Sequence, residues 1–266
     1  MSLTKGSGPF GATPAGSFNF DPRAPEHVLY VEGCPRRVRV LLGGQVVADS
    51  TDVLLLHPPE RTPTYLFPRG HVRTEMFLPS DRQRSDPAMG AATYWTVRAG
   101  ERLAEDAAYS FEHPPAAAAE IAGLVAFEWD SMDGVFEEDE EVFVHPRDPY
   151  TRIDVLRSSR HVQVRLGATV LAGSTMPRML LESGLPVRYY LPREDVRAQL
   201  LPSYTTTRCP YKGIAHYWSV RDGDRFERDI AWSYPEPFHD AEAVRGLLCF
   251  VDERVDLEVS DAEPPG

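Results

Sequence analysis

Cysteine is scarce in this sequence, and the shortage removes several chemistries at once. Only Cys34, Cys209 and Cys249 occur, widely spaced and odd in number. Such a set offers no disulfide framework, so a reducing, cytoplasmic setting is expected. No Cys-x-x-Cys or His-x-x-x-His pairing supplies four ligands, so neither a zinc site nor any other metal or cofactor is expected. Long apolar runs are missing too: none approaches the ~20 residues a membrane helix needs. The stretch Met1 to Pro9 lacks the apolar core of a secretory signal. Positive charge is in deficit, with 28 Lys and Arg against 40 Asp and Glu, a net −12 and a pI near 5.1. That sign argues against nucleic acid or an anionic membrane as the main partner. No Gly-rich phosphate loop joins a strand to a helix, and no Gly-x-Ser-x-Gly elbow presents a nucleophile.

What is present is an internal duplication. Val38 to Phe127 aligns with Val162 to Phe250 with one gap, at Leu78. The offset is 124 residues before the gap (Gly43/Gly167, Tyr65/Tyr189, Val72/Val196) and 123 after it (Ser80/Ser203, Gly90/Gly213, Trp95/Trp218). The register yields 33 identical pairs, which makes the chain two copies of one domain rather than a short-period solenoid. Residues common to both copies report the fold, and those that differ report what one copy does alone.

Within each copy the apolar period is two. Val38-x-Val40-x-Leu42 and Val162-x-Val164-x-Leu166 each run into a Gly turn, as β-hairpins do. Tyr65 to Phe67 and Tyr189 to Leu191 are short strands stopped by Pro68 and Pro192. Only Pro115 to Ile121 and Asp240 to Arg245 favour helix. The expected fold is mainly β: two tandem small antiparallel β domains, each with one short helix. The domains fall at 18–136 and 151–260. A Gly/Pro/Ser-rich mobile tail is expected over 1–17 and another tail over 261–266. The acidic run Glu137 to Glu141 makes 137–150 an exposed linker.

The run Tyr190-Leu-Pro-Arg-Glu-Asp-Val196, then Leu201-Pro-Ser203, Cys209-Pro-Tyr-Lys-Gly213, Tyr217-Trp218 and Ala231-Trp-Ser-Tyr-Pro235, resembles the domain-of-unknown-function 427 family. The first copy matches the same frame with a changed central motif. The resemblance implies a β-tent, two small antiparallel sheets meeting at an angle. The paired cysteines of zinc-binding relatives are absent, so apolar packing must hold each domain. The family carries a nucleotidyltransferase-like label, but the Gly-Ser turn with paired metal-binding aspartates of such enzymes is not in this sequence.

The copies part at Cys209-Pro-Tyr-Lys-Gly213, where the first copy has Asp86-Pro-Ala-Met-Gly90. The turn-forming Pro and Gly remain while the reactive pair is gone. Lys212 three residues from Cys209 can favour a thiolate, or serve as a point charge for a ligand anion. The alternative is a turn in which Cys209 is a small buried filler. His216 is a candidate general base, with Thr93 as its first-copy counterpart. Ser203 and Thr205 to Thr207 offer clustered hydroxyls, although Ser80 matches Ser203 and points to turn capping. Arg197 and Arg193 match Arg73 and Arg69, a repeat that suits a held carboxylate or ligand anion as well as a solvated surface. Tyr211, Trp232 and Tyr234 join the ligand set, while Tyr189, Tyr217 and Trp218 are expected in the core. Three functional readings remain. The first is binding of a small polar or anionic molecule in a pocket of the second copy. The second is an enzyme with Cys209 as nucleophile, and the third a protein-interaction module. The oligomeric state is left open.

Overall fold

The computed structural model describes residues 3–21, 27–223 and 225–261. The chain divides into two compact units between Tyr150 and Thr151. The first contains β1 (Tyr30–Gly33), β2 (Val38–Leu42), β3 (Gln45–Ser50), β4 (Leu54–His57), β5 (Thr64–Leu66), β6 (Phe77–Asp86), β7 (Gly90–Ala99), β8 (Arg102–Ser110), β9 (Val125–Phe127), β10 (Gly134–Glu137) and β11 (Glu140–Val142). The second contains β12 (Ile153–Arg157), β13 (His161–Leu166), β14 (Thr169–Ser174), β15 (Arg178–Glu182), β16 (Arg188–Leu191), β17 (Gln199–Cys209), β18 (Gly213–Asp222), β19 (Arg225–Ser233), β20 (Leu248–Phe250) and β21 (Asp256–Ser260).

In the second unit a seven-stranded antiparallel sheet runs β12-β15-β16-β20-β19-β18-β17, and a three-stranded sheet runs β14-β13-β21. The first unit keeps this order as β1-β4-β5 and β9-β8-β7-β6, joined by a bridge between Phe67 and Val125, with β11-β10-β2-β3 as the smaller sheet. Period-two alternation explains both. Val162, Val164 and Leu166 are buried while Gln163 and Arg165 between them are not, and Val38, Val40 and Leu42 repeat the pattern. In the second unit these side chains pack with Leu171, Leu191, Val220, Ile230, Leu248 and Phe250 into one core. Each fully buried aliphatic or Phe side chain there contributes about 1.5–3 kcal/mol. The opposite face of the large sheet carries a second cluster, Leu180, Tyr190, Ala215, Tyr234, Ala241, Val244 and Cys249. The two expected helices are 3₁₀ segments, Ala116–Ile121 and His239–Val244, and among the described residues five single-turn 3₁₀ segments accompany them. Runs this short gain little from α-helical propagation and are set by packing of Ala118, Ile121, Ala241 and Val244. No helix among the described residues is long and apolar enough to cross a membrane.

Two segments differ from expectation. Where described, residues 3–17 of the expected mobile tail form turns: the Phe10 amide donates to the Leu3 carbonyl at 3.0 Å, and Thr4 is fully buried. A Gly/Ser-rich segment has many unshielded amides, and here the amides of Gly6 and Ala12 donate to the Glu60 carboxylate at 3.0 and 2.5 Å. The acidic run forms a hairpin rather than an extended linker, with 138–141 exposed as expected and Glu137 buried. Glu137 and Glu140 face each other across the β10–β11 hairpin. Glu137 is buried, accepts a hydrogen bond from the Tyr65 hydroxyl and lies 3.5 Å from Arg36 Nη1. Partners of opposite polarity hold it where five free carboxylates would have repelled one another. Of the expected tail 261–266, all but Asp261 lies outside the described residues.

Candidate functional site

Strand alternation gathers the site. Leu180 and Glu182 on β15, Arg188 and Tyr190 on β16, Ala215 and Tyr217 on β18, and Trp232 on β19 sit two residues apart in each strand and line one cavity. Leu185, Pro186, Thr207, Lys212 and Tyr234 complete a pocket of about 240 Å³. Lys212 enters it from the β17–β18 turn. That turn is shaped by Gly213, whose φ of +96° favours glycine and whose absent Cβ would meet the Glu236 carbonyl at 3.1 Å.

The charges inside are matched. The Lys212 ammonium bonds the Glu182 carboxylate, both side chains being nearly withdrawn from water. Arg188 lies 2.9 Å from Asp252 and 2.8 Å from Glu253, with its guanidinium 5.7 Å from the centre of the Trp232 ring. The Trp232 indole N–H donates to the Tyr190 hydroxyl at 3.1 Å. Burial pushes the Tyr190 and Tyr234 hydroxyls up, so both stay neutral donors, and it holds Cys249 nearby as a thiol. Asp252 is also raised by burial, with Arg188 opposing the rise. The result is an aromatic cup with a paired ammonium and carboxylate on its wall and no surplus positive charge. It suits a polar molecule of balanced charge better than a polyanion such as a triphosphate. Among the described residues no three His, Cys, Asp or Glu side chains converge on a metal position.

Of the candidates read from the sequence, Thr207, Lys212, Trp232 and Tyr234 come together here. Cys209 ends β17 opposite Gly213, half-buried and outside the pocket lining, and the partner of Lys212 is a carboxylate rather than that thiol. His216 is exposed on β18 between Ala215 and Tyr217, so alternation turns it away from the pocket they line. Ser203 and Thr205 serve a bulge: Ser203 Oγ accepts from the Thr205 amide at 3.1 Å, and Thr205 Oγ1 donates to Asp229 at 2.8 Å. Asp229 stands at φ +52°, and Ser80 makes the same contact with Asp106 at φ +51° in the first unit. These hydroxyls therefore belong to the fold. Arg197 is exposed, and its amide donates to the Leu171 carbonyl at 2.8 Å as the Arg73 amide does to Val47. Arg193 and Arg69 stack over Trp218 and Trp95, at 4.2 and 5.2 Å from the ring centres. Tyr211 is half-buried in the turn and does not line the pocket. Tyr189 and Trp218 pack into the core between the sheets, whereas Tyr217, expected there, lines the pocket.

The model of a domain of unknown function, DUF427, matches the chain twice, over residues 30–138 and 154–261. The chain belongs to the DUF427 family. No curated protein matches it. Laying the two DUF427 repeats over each other exposes what sequence reading missed. Glu182 aligns with Pro58 as Lys212 aligns with Met89, so the ion pair is present in one repeat and wholly apolar in the other. Arg188 and Tyr190 likewise align with Thr64 and Leu66. The joint change at Glu182 and Lys212 was visible in the aligned copies, but their contact spans 30 residues and needs the sheet order to be seen.

Proposed function

We propose that the second DUF427 repeat binds a small polar molecule in the Glu182–Lys212 pocket. The observation that carries this reading is the pair itself. Two opposite charges have been placed together, nearly buried, at positions that are Pro58 and Met89 in a repeat that folds without them. A buried ion pair is a poor source of stability, because desolvation offsets most of its Coulomb gain. Ligand recognition gives it a use. Lys212 retains donors for a ligand acceptor or anionic group, Glu182 accepts from a ligand donor, and Trp232, Tyr217 and Tyr234 cover a flat body. At about 240 Å³ the pocket falls below the roughly 300–1,000 Å³ of drug-sized sites, which favours a compact ligand. Amino-acid-like and hydroxy-acid-like molecules meet these demands. A Cys209 nucleophile has less support, since the thiol does not line the pocket and Lys212 is engaged elsewhere. A thermal-shift screen of small polar metabolites tests the reading. A binder is expected to raise the melting temperature of the wild type and not of Glu182→Leu/Lys212→Met, in which the pair is replaced by apolar groups. Equal stabilisation of both proteins would refute it.

A further inference from the structure

Of the 28 basic residues in the chain only two are lysine, Lys5 and Lys212. Lys212 lines the second-repeat pocket, and Lys5 lines a pocket of about 300 Å³ in the first repeat. The two pockets occupy the same place in the repeat. Leu56, Met89, Tyr109 and Phe111 stand where Leu180, Lys212, Trp232 and Tyr234 stand in the other copy. The first repeat thus has methionine where the second has the turn lysine, while a lysine from outside the repeat reaches the equivalent cavity.

The segment that carries Lys5 is held firmly. Thr4, fully buried, donates through Oγ1 to the Pro58 carbonyl at 2.8 Å, and its own carbonyl accepts the Glu60 amide at 2.9 Å. Glu60, at φ +55°, turns its carboxylate onto the amides of Gly6 and Ala12 on the other side of Lys5. A non-glycine residue in that conformation is strained, and the bonds to the segment offset the cost. Pro58, the docking point, is the counterpart of Glu182. Glu60 and Glu128 also line this pocket, Arg61 is tied to Asp86 at 2.5 Å and Arg84 donates to the Tyr94 hydroxyl at 3.5 Å, but among the described residues neither Lys5 nor Arg84 forms an ion pair with a carboxylate. Tyr109 faces the cavity with its hydroxyl pushed up to about 12 by burial and by Glu128, so it is a neutral wall.

We propose that the first repeat holds a second ligand site, completed by Lys5 of the N-terminal segment, for a small molecule with one anionic group on a flat apolar body. Lys5 and Arg84 receive the anion, and Leu56, Met89 and Tyr109 pack against the body. This site stands on its own contacts and does not require the second-repeat pocket to be occupied.

With two lysines, the chain lends itself to reductive methylation with ¹³C-formaldehyde, which keeps the positive charge and leaves one resonance for each lysine and one for the α-amine. Lys5→Arg and Lys212→Arg assign the resonances. The full-length protein is then titrated with benzoate and, separately, with phenyl phosphate. The Lys5 resonance is expected to move saturably, at about 1–10 mM, with at least one probe. A response to benzoate alone names a carboxylate ligand, and a response to phenyl phosphate alone names a phosphate ester. Glu60→Ala, which removes the two bonds from the Gly6 and Ala12 amides while leaving the Thr4 contacts, is expected to weaken the saturable Lys5 response and leave that of Lys212. If the Lys5 resonance stays fixed or drifts linearly with both probes, the proposal is wrong, whatever Lys212 does. An undiminished response in Glu60→Ala would also overturn it. The Lys212 resonance reports separately on the second repeat.

Discussion

Lys212 and Glu182 expose only 11% and 8% of their side chains, so each depends on the other for solvation. Removing the ammonium alone strands a carboxylate in an aromatic cup. Lys212→Met is therefore expected to cost about 3 kcal/mol, the low end for breaking a buried pair, while Glu182→Leu/Lys212→Met recovers most of the loss. Urea midpoints of the four proteins in the cycle measure this, and additive losses would contradict a direct pair. At Asp229 the balance is different. Burial raises its pKa, but hydrogen bonds from Ser203 and Thr205 and the charge of Arg228 outweigh burial and hold it below the ordinary 3.8. A carboxyl depressed in the folded state adds stability above its unfolded pKa, and that stability is lost as pH falls through the folded value. Ser203→Ala/Thr205→Val is expected to return the Asp229 titration, followed by carboxyl ¹³C NMR, toward 3.8. An unchanged titration would mean that the hydroxyls do not hold this carboxylate.

At the scale of the element, the β17–β18 hairpin decides where the lysine points. Its Gly213 has φ +96° with the Glu236 carbonyl 3.1 Å from an added Cβ, and the equivalent Gly90 has φ +87° with Pro115 Cδ at 3.3 Å. Gly213→Ala is expected to cost about 1–3 kcal/mol through backbone strain, seen as a lower urea midpoint. A neutral effect would show that the turn relaxes freely. The strands themselves were legible, because Val38-x-Val40-x-Leu42 and its twin declare a pleated, half-buried surface. So were Gly90 and Gly213, kept in both copies by the turn. The site was legible only in part. Lys212, Trp232 and Tyr234 stood out by comparison of the copies, but nearness in sequence misplaced His216 and Cys209. On a strand, adjacent residues face opposite ways, and the true neighbour of Lys212 is Glu182, two strands' worth of chain away. Glu137 and the Thr4–Glu60 contacts escaped for the same reason, since composition gives the polarity of a segment and not its partner.

At the scale of the whole molecule, the chain is a duplicated DUF427 domain in which the two copies share a frame and differ at the pocket. The shared features are those the fold needs: the arginine–tryptophan stacks, the Ser–Asp bulges and the glycine turns. The second repeat adds a charge pair, and the first acquires a lysine from the N-terminal segment. The excess of acid, 40 residues against 28, fits with pockets that rely on a few placed cations, Lys212 and Arg188 in one and Lys5, Arg61 and Arg84 in the other, rather than on a basic field. The proposed role of the Glu182–Lys212 pair is to hold a ligand. It is tested most directly by isothermal titration of the best stabilising metabolite into the wild type and into Glu182→Leu/Lys212→Met. The account predicts a dissociation constant weakened by about tenfold or more in the variant, equivalent to at least ~1.4 kcal/mol of binding free energy. The same dissociation constant in both proteins would contradict it.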